Sequence, residues 1–127
     1  MLLLLIAFVL CTVGTASAAP KHPHWTWEQE KEKHYGNGVK PYWMPRLYWA
    51  IAQCETPPGR WDHNSGTYQG AFGFYYGTWD SYKPAGYPDE AYQASSWQQY
   101  VVARNVARSV GFGAWGCYSH GGYRSHM

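Results

Sequence analysis

Apolar residues recur at helical spacing in the segment before the double proline. Positions i, i+3, i+4 and i+7 hold Leu47, Ala50, Ile51 and Cys54. This spacing places four side chains on one face of an α-helix, and Pro45 suits its first turn. A residue before proline avoids the α region, so the segment 56–59 ends the helix. The pattern predicts a helix whose last residue is Glu55 or its neighbour.

Rings and glycines then alternate between residues 60 and 76. The rings are Tyr68, Phe72, Phe74 and Tyr76, and the interleaved glycines are Gly66, Gly70 and Gly73, followed by Gly77. A period of two with turn-forming residues between the rings is typical of a short β-hairpin. The segment 77–80 that follows predicts a turn into a short helix.

A second strong helix is predicted to begin at Ser95 or Ser96. Each serine is followed three residues later by a glutamine, which suits a capping box. The apolar face of this helix holds Val102, Ala103, Val106 and Val110. Gly111 is suited to the position just beyond the helix. The chain then returns through residues 112–117.

Composition limits the core and the partners of this chain. Its 127 residues support one domain, for which we expect a monomer. The net charge of +2 comes without a basic block, which excludes an electrostatic nucleic-acid binder. Aromatic residues make up 19% of the chain, and aliphatic residues are scarce beyond residue 18. The core must therefore be built from rings and alanines.

The chain begins with features of an export signal. An apolar run over 2–10 is followed by the small-x-small pattern of residues 16–18, which predicts a cleaved signal peptide over 1–18. An uncleaved membrane anchor is the alternative. We expect a secreted, extracellular or wall-associated protein with no stable membrane anchor after cleavage. Cys54 and Cys117 then remain, and an even count in an oxidising compartment predicts one disulfide, with two free thiols as the alternative.

The predicted organisation has three parts after the signal. Residues 19–40 are polar and charged and are expected to form an arm or linker, with Trp25 and Trp27 either docked or exposed. Residues 41–118 form the domain, and 119–127 a loose aromatic tail. The six histidines lack a ligand spacing such as His-x3-His, so neither a metal site nor a cofactor is expected.

Glu55 is the residue with the strongest indication of chemistry. The negative end of a helix dipole disfavours a charged carboxylate, and the neighbouring cysteine and rings would desolvate it further. A carboxylic acid that stays protonated is what a general acid for glycosidic cleavage requires. The alternative is a solvated glutamate at a helix end.

Several segments together resemble the transglycosylase-like domain of resuscitation-promoting factors. The resemblance covers about residues 43–118 and rests on residues 48–55, Trp61, 66–74, 78–79, 96–103 and 113–117. It implies an α+β class with a small lysozyme-like fold, mainly helical with a short β-hairpin and one disulfide between Cys54 and Cys117. It also implies activity on peptidoglycan, with Glu55 as the catalytic acid, Thr78 as a cleft threonine and Trp79 as the ring beside it.

The chain departs from the family pattern at two places. The family commonly has Gly-Gly-Asn-Trp after the acid, whereas this chain has Thr-Pro-Pro-Gly-Arg-Trp over 56–61. The family usually has a glutamine where this chain has Gly73, so one amide donor is missing. A divergent subgroup that acts on a modified wall, or only binds it, would fit these changes.

A second carboxylate would decide between two reactions. The candidates are Asp62, otherwise a turn or cap residue, and Asp80, otherwise a first-turn helix residue. With Asp62 over a water, the reaction would be hydrolysis. With Glu55 alone, the sugar's own 6-hydroxyl would attack the anomeric carbon and leave a 1,6-anhydro end.

Aromatic and amide side chains near Glu55 are candidate sugar contacts. The rings that are expected to stack on sugars, or else to fill the core, are Trp61, Tyr68, Tyr75, Tyr76 and Trp79. Asn64 and Gln69 are expected to bond N-acetyl groups. Tyr75 and Tyr76, as neighbours on a strand, should face opposite sides.

These observations predict a secreted enzyme that cleaves the bond between N-acetylmuramic acid and N-acetylglucosamine in peptidoglycan glycan strands. A non-catalytic wall-binding module with the same fold is the alternative. A small secreted structural or inhibitory protein is a third possibility.

Overall fold

A computed structural model describes residues 26–127 of the chain. This part contains five α-helices and one two-stranded sheet, which are joined by loops and short 3-10 helices. The helices are α1 (Trp27–Glu32), α2 (Arg46–Glu55), α3 (Tyr76–Tyr82), α4 (Ser96–Val110) and α5 (Gly116–Ser119). The strands are β1 (Tyr68–Gln69) and β2 (Phe74–Tyr75), and short 3-10 helices cover Ala91–Gln93, Phe112–Ala114 and Gly122–His126. The predicted signal peptide over 1–18 lies outside the described residues. None of the helices in the described range is long and apolar enough to cross a bilayer.

Helix α2 confirms the predicted helix and ends on Glu55. Pro45 is its N-cap rather than its first helical residue. Thr56 is the C-cap, with φ −134° and ψ 72°, outside the α region as expected before a proline. The helix buries the consecutive residues Trp49, Ala50, Ile51 and Ala52.

Helix α4 begins with the predicted capping box. The Ser95 hydroxyl accepts a hydrogen bond from the backbone N–H of Gln98 at 3.2 Å. The Gln98 side chain accepts one in return from the backbone N–H of Ser95 at 3.0 Å. Gly111 is the C-cap, so both ends of this helix follow from the sequence.

The predicted hairpin is present, but it is short. Strands β1 and β2 pair antiparallel, with Tyr68 opposite Tyr75 and Gln69 opposite Phe74. The expectation that Tyr75 and Tyr76 face opposite sides is wrong, because α3 begins at Tyr76 and the strand alternation stops there. Their rings instead lie 4.4 Å apart, and both are exposed.

The core is built from rings and alanines, as the composition predicted. The indole of Trp61 stacks on that of Trp49 with centroids 5.8 Å apart. Phe72 contacts Trp61, Phe74 and Trp115 at centroid distances of 5.7–6.2 Å. Such offset and edge-to-face pairs add to the free energy gained by burial alone. Ring contacts therefore make up much of the core, together with the buried aliphatic side chains of Ile51, Val102 and Val106.

The described part of the expected arm is packed on the domain. Helix α1 has a capping box at Thr26, and Trp27 contacts Trp97 of α4 with centroids 5.1 Å apart. Glu30 is fully buried and accepts a hydrogen bond from the Tyr35 hydroxyl. The polar composition of this segment suggested a linker or a lightly ordered arm. In the structure the segment is ordered, because its tryptophan ring packs against a ring of α4. Residues 19–25 lie outside the described range.

The C-terminal tail is also ordered. The 3-10 helix Gly122–His126 packs against α2. The ring of Tyr123 stacks on that of Tyr118 with centroids 4.8 Å apart and an interplanar angle of 16°. The sequence suggested a loosely packed aromatic tail. In the structure the tail is a short helix that is packed on the domain and carries one of two stacked tyrosine rings.

Gln99 joins three parts of the fold through one buried side chain. Its amide nitrogen donates to the backbone oxygens of Trp61 at 2.9 Å and Ala94 at 3.2 Å. Its amide oxygen accepts from the backbone N–H of Ala71 at 2.9 Å. Because Gln99 is fully buried, water cannot replace these bonds.

Replacing Gln99 by leucine keeps most of the volume and removes these hydrogen bonds. We expect Gln99→Leu to lower the free energy of unfolding by about 2–4 kcal/mol, since buried backbone groups are left without partners. Urea unfolding measures this change. The exposed Gln93→Leu is the matched control and should shift it by less than about 0.5 kcal/mol. Equal effects of the two variants would contradict the assigned role of Gln99.

Candidate active site

The carboxyl group of Glu55 is held by a backbone hydrogen bond from the other end of the domain. The N–H of Cys117 donates to Oε1 of Glu55 at 3.0 Å. A disulfide joins Cys117 to Cys54, with their Cα atoms 5.9 Å apart, and so confirms the predicted pairing. Glu55 is only half buried. One carboxyl oxygen is therefore fixed, while the other is available to a ligand.

The second oxygen, Oε2, faces the hairpin turn. A Cβ atom built on Gly73 would lie 3.8 Å from it, so Gly73 leaves room beside the carboxyl group. Gly73 has φ +57°, a left-handed conformation that glycine adopts without strain. Where the resemblance implied a glutamine, this chain therefore has no side chain beside Oε2.

Two side chains tie the hairpin turn to the segments that carry Glu55 and Cys117. The hydroxyl of Thr56 donates to the backbone oxygen of Ala71 at 2.8 Å. The indole N–H of Trp115 donates to the backbone oxygen of Phe72 at 3.1 Å. Both donors are buried, so the turn is held close to Glu55 from two sides.

An open cleft of about 440 Å³ lies against Glu55. Its lining consists of Glu55, Thr56, His63, Ser65, Tyr68, Gly73, Ala114, Trp115 and Gly116. Glu55 is the one carboxyl group among these lining residues of the described chain. The cleft thus combines a single acid with hydroxyl, imidazole and aromatic groups, which are groups that can hydrogen-bond and stack on a sugar.

The structure places the predicted ring contacts differently. Tyr68 lines the cleft and is 53% exposed. Trp61 and Trp79 are core residues, exposed by 3% and 0%, and their indole N–H groups donate to the backbone oxygens of Val39 and Pro88. The expectation that these two tryptophans stack on sugars is wrong, because aliphatic residues are too few to fill the core without them.

The two side chains predicted to bind N-acetyl groups instead form hydrogen bonds within the domain. Gln69 is 3% exposed; its amide donates to the Glu90 carboxylate and accepts from the backbone N–H of Ala91. The Asn64 side chain accepts from the backbone N–H of Gly66 at 2.9 Å and shapes the turn before β1. Neither side chain lines the cleft.

Two further predicted contacts lie outside the cleft lining. Thr78 sits half buried in α3, and Tyr75 lies on β2 next to Tyr68. The resemblance placed Thr78 in the substrate cleft, and the structure does not bring it among the lining residues.

Neither aspartate forms a second acid in this cleft. Asp62 accepts from the side-chain nitrogen of Asn37 at 2.8 Å and lies 3.9 Å from Arg60, in a separate depression. Asp80 is exposed and pairs with Lys83 at 3.0 Å. Both are held by partners on other surfaces, so the second-acid prediction for Asp62 is wrong.

Sequence reasoning missed several lining residues. The spacing of His63 from the other histidines indicates no metal site, and its position just before the hairpin is the sequence signal that places it near the cleft. The lining residue Thr56, and the Cys117 N–H that binds Glu55, have no such signal in the sequence, because their roles depend on contacts across the fold. Within residues 26–127, no group of three or more His, Cys, Asp or Glu side chains is placed to hold a metal ion.

Comparison with known proteins identifies the class of domain. Residues 45–118 match the family model of the transglycosylase-like domain. This match covers more than half of the chain, so the chain belongs to that family. The mostly helical architecture, with its two-stranded sheet and its disulfide, is accordingly a lysozyme-like transglycosylase domain of the predicted α+β class.

Two relatives point the same way. The resuscitation-promoting factor Rpf1 of Corynebacterium glutamicum is 39% identical over 66 residues, which cover 51% of this chain and 34% of the relative. The resuscitation-promoting factor RpfE of Mycobacterium tuberculosis is 45% identical over 67 residues, covering 52% of this chain and 37% of the relative. The chain spans about a third of the length of the relatives it matches.

The disulfide should contribute both to stability and to the geometry of Glu55. It closes a loop with a sequence separation of 63 residues. The chain-entropy relation gives about 4 kcal/mol for such a loop. We expect the double variant Cys54→Ala/Cys117→Ala to lose about this much free energy of unfolding, as measured by urea denaturation. Wild type in reductant is the control and should lose a similar amount, whereas unchanged stability in both samples would contradict the prediction.

Proposed function

We propose that this domain cleaves peptidoglycan glycan strands between N-acetylmuramic acid and N-acetylglucosamine, with Glu55 as both acid and base. The observation that carries the proposal is the fixed carboxyl group at an open cleft. Oε1 is held by the Cys117 N–H at 3.0 Å, and Oε2 accepts no hydrogen bond from the described residues. The family match and the two relatives support a wall polymer as substrate.

The first step requires Glu55 in its protonated form. With Oε1 accepting from Cys117, the proton resides on Oε2, on the side of the cleft. Oε2 gives this proton to the glycosidic oxygen, and the bond to the anomeric carbon breaks. The leaving sugar departs with a neutral hydroxyl group, and positive charge develops at the anomeric carbon.

The second step uses the resulting carboxylate as a base. Oε2 accepts the proton of the 6-hydroxyl of the same muramic acid unit, whose oxygen attacks the anomeric carbon. The product carries a 1,6-anhydro ring, and Glu55 is protonated again. No water is consumed in this cycle.

The choice of transglycosylation over hydrolysis rests on the carboxyl groups of the cleft. A hydrolase of the two-acid type needs a second carboxyl group about 5–9.5 Å from the first. Glu55 is the one carboxyl group in the cleft lining, and Asp62 lies in a different depression. An internal hydroxyl nucleophile fits a site with one acid.

The proposal includes action outside the cell. The predicted signal peptide over 1–18 and the Cys54–Cys117 disulfide both suit an oxidising, extracytoplasmic compartment. A monomer working on glycan strands, without nucleic acid or cofactor, stays a prediction.

A second candidate function is a wall-binding module without catalysis. It is favoured by Gly73, which has no side chain at the position near Oε2 where the resemblance implied a glutamine. Such a module would bind purified wall through the same cleft and release no soluble fragments.

Glu55→Gln tests the role of the carboxyl group. The amide keeps an oxygen that can accept from Cys117 but cannot give or take the proton, so we expect release of soluble fragments from purified wall to fall at least a hundredfold. The melting temperature should stay within a few degrees of wild type. Fragment release is measured by chromatography of the digest.

Asp62→Asn is the matched control because it removes a carboxylate outside the cleft. We expect it to retain activity within about twofold. Full activity of Glu55→Gln, or loss of activity in Asp62→Asn alone, would contradict the assignment. Wall binding without fragment release by wild type would favour the binding module.

A further inference from the structure

Three tyrosines form a continuous exposed row on the hairpin side of the domain. Tyr68, Tyr75 and Tyr76, here called the tyrosine row, are 53%, 43% and 52% exposed. The ring centroids of Tyr68 and Tyr75 lie 6.4 Å apart, and those of Tyr75 and Tyr76 lie 4.4 Å apart. Most other rings of the described chain contribute to the core, so this exposure is exceptional in a domain that depends on rings for its interior.

The backbone fixes the order of the row. Tyr68 and Tyr75 are direct partners across the two strands, so their side chains leave the sheet on the same face. Tyr76 begins α3, and its N–H donates to the backbone oxygen of Thr67 at 3.2 Å. A Cβ atom at Gly77 would lie 2.9 Å from Cε1 of Tyr75 and would clash with it, so a glycine at this position allows the Tyr75 ring to take its observed conformation. The row is thus held by the hairpin and the start of α3.

One end of the tyrosine row lies in the cleft, and the other end lies outside it. Tyr68 lines the cleft with Glu55, whereas Tyr75 and Tyr76 lie outside the lining. The Tyr75 hydroxyl is uncharged near neutral pH even at its ordinary pKa of 10.0, and a hydrogen bond with Tyr76 raises that pKa further. Uncharged rings with hydroxyl edges suit the apolar faces and hydroxyl groups of pyranose sugars.

We propose that the tyrosine row is an extension of the cleft that binds the sugar units beyond those at Glu55, so that the domain prefers long glycan strands. This inference rests on the proposed function. The occupant is a polysaccharide because the row is continuous with the cleft and presents flat, uncharged rings in sequence. A strand bound at Glu55 would leave the cleft over Tyr68 and run along Tyr75 and Tyr76.

The test compares short and long oligomers of N-acetylglucosamine in a non-cleaving background. The full chain with Glu55→Gln is titrated calorimetrically with the trimer and the hexamer. Adding Tyr75→Ala/Tyr76→Ala should weaken hexamer binding at least tenfold and leave trimer binding within twofold. Tyr75→Phe/Tyr76→Phe keeps the rings and should retain most of the hexamer affinity. Val110→Ala, an exposed apolar residue at the end of α4, is the control and should change neither affinity.

Other outcomes overturn the inference in distinguishable ways. Unchanged hexamer affinity in the double alanine variant removes the row from glycan binding and leaves the proposed function intact. Equal loss for trimer and hexamer places the row within the short-chain site rather than beyond it. A shift from dimer to monomer on sedimentation, without a change in affinity, makes the row a contact between copies of the chain. Absence of hexamer binding by the Glu55→Gln chain overturns the inference, and fragment release from purified wall by wild type then decides separately whether the proposed function fails as well.

Discussion

The hydrogen bond from the Cys117 N–H to Oε1 of Glu55 is the interaction on which the site depends. It connects the last residue of one helix to the return segment near the end of the domain, 62 residues later. The disulfide to the preceding residue, Cys54, holds the donor in place. Because one oxygen is fixed, the other has a defined direction, and a proton on it can be aimed at a substrate. Without this bond, neither carboxyl oxygen of Glu55 would accept a hydrogen bond from the described residues.

A domain with few aliphatic residues must supply rigidity around that bond by other means. Here tryptophan and phenylalanine rings fill the interior, and polar groups join its parts. Gln99 connects α4 to the hairpin, while Thr56 and Trp115 hold the hairpin turn against the segments that carry the acid. Trp61 lies in the core for the same reason, because aliphatic residues are too few to fill it. The rings of Tyr68, Tyr75 and Tyr76, by contrast, lie on the surface and do not contribute to the core.

Local patterns predicted the elements, and contacts across the fold decided the rest. The periodicity around Ile51 and the capping box at Ser95 were enough to place α2 and α4, because helix ends depend on neighbours in sequence. The count of two cysteines beyond the signal predicted the disulfide. The burial of Trp79 could not be read from sequence, since an aromatic residue near a helix start suits either a cleft or a core. The partners of Asp62 were equally hidden, because Asn37 lies 25 residues away in the sequence.

The most direct test of the account is the fate of water during cleavage of purified wall. Digestion in water enriched in oxygen-18, followed by mass spectrometry of the released fragments, separates the two reactions. The single-acid site predicts muramic acid ends that carry no label and are lighter by one water than reducing ends. Incorporation of one labelled oxygen per cleaved bond would contradict the account, because it would require a bound water as nucleophile and a second group to activate it.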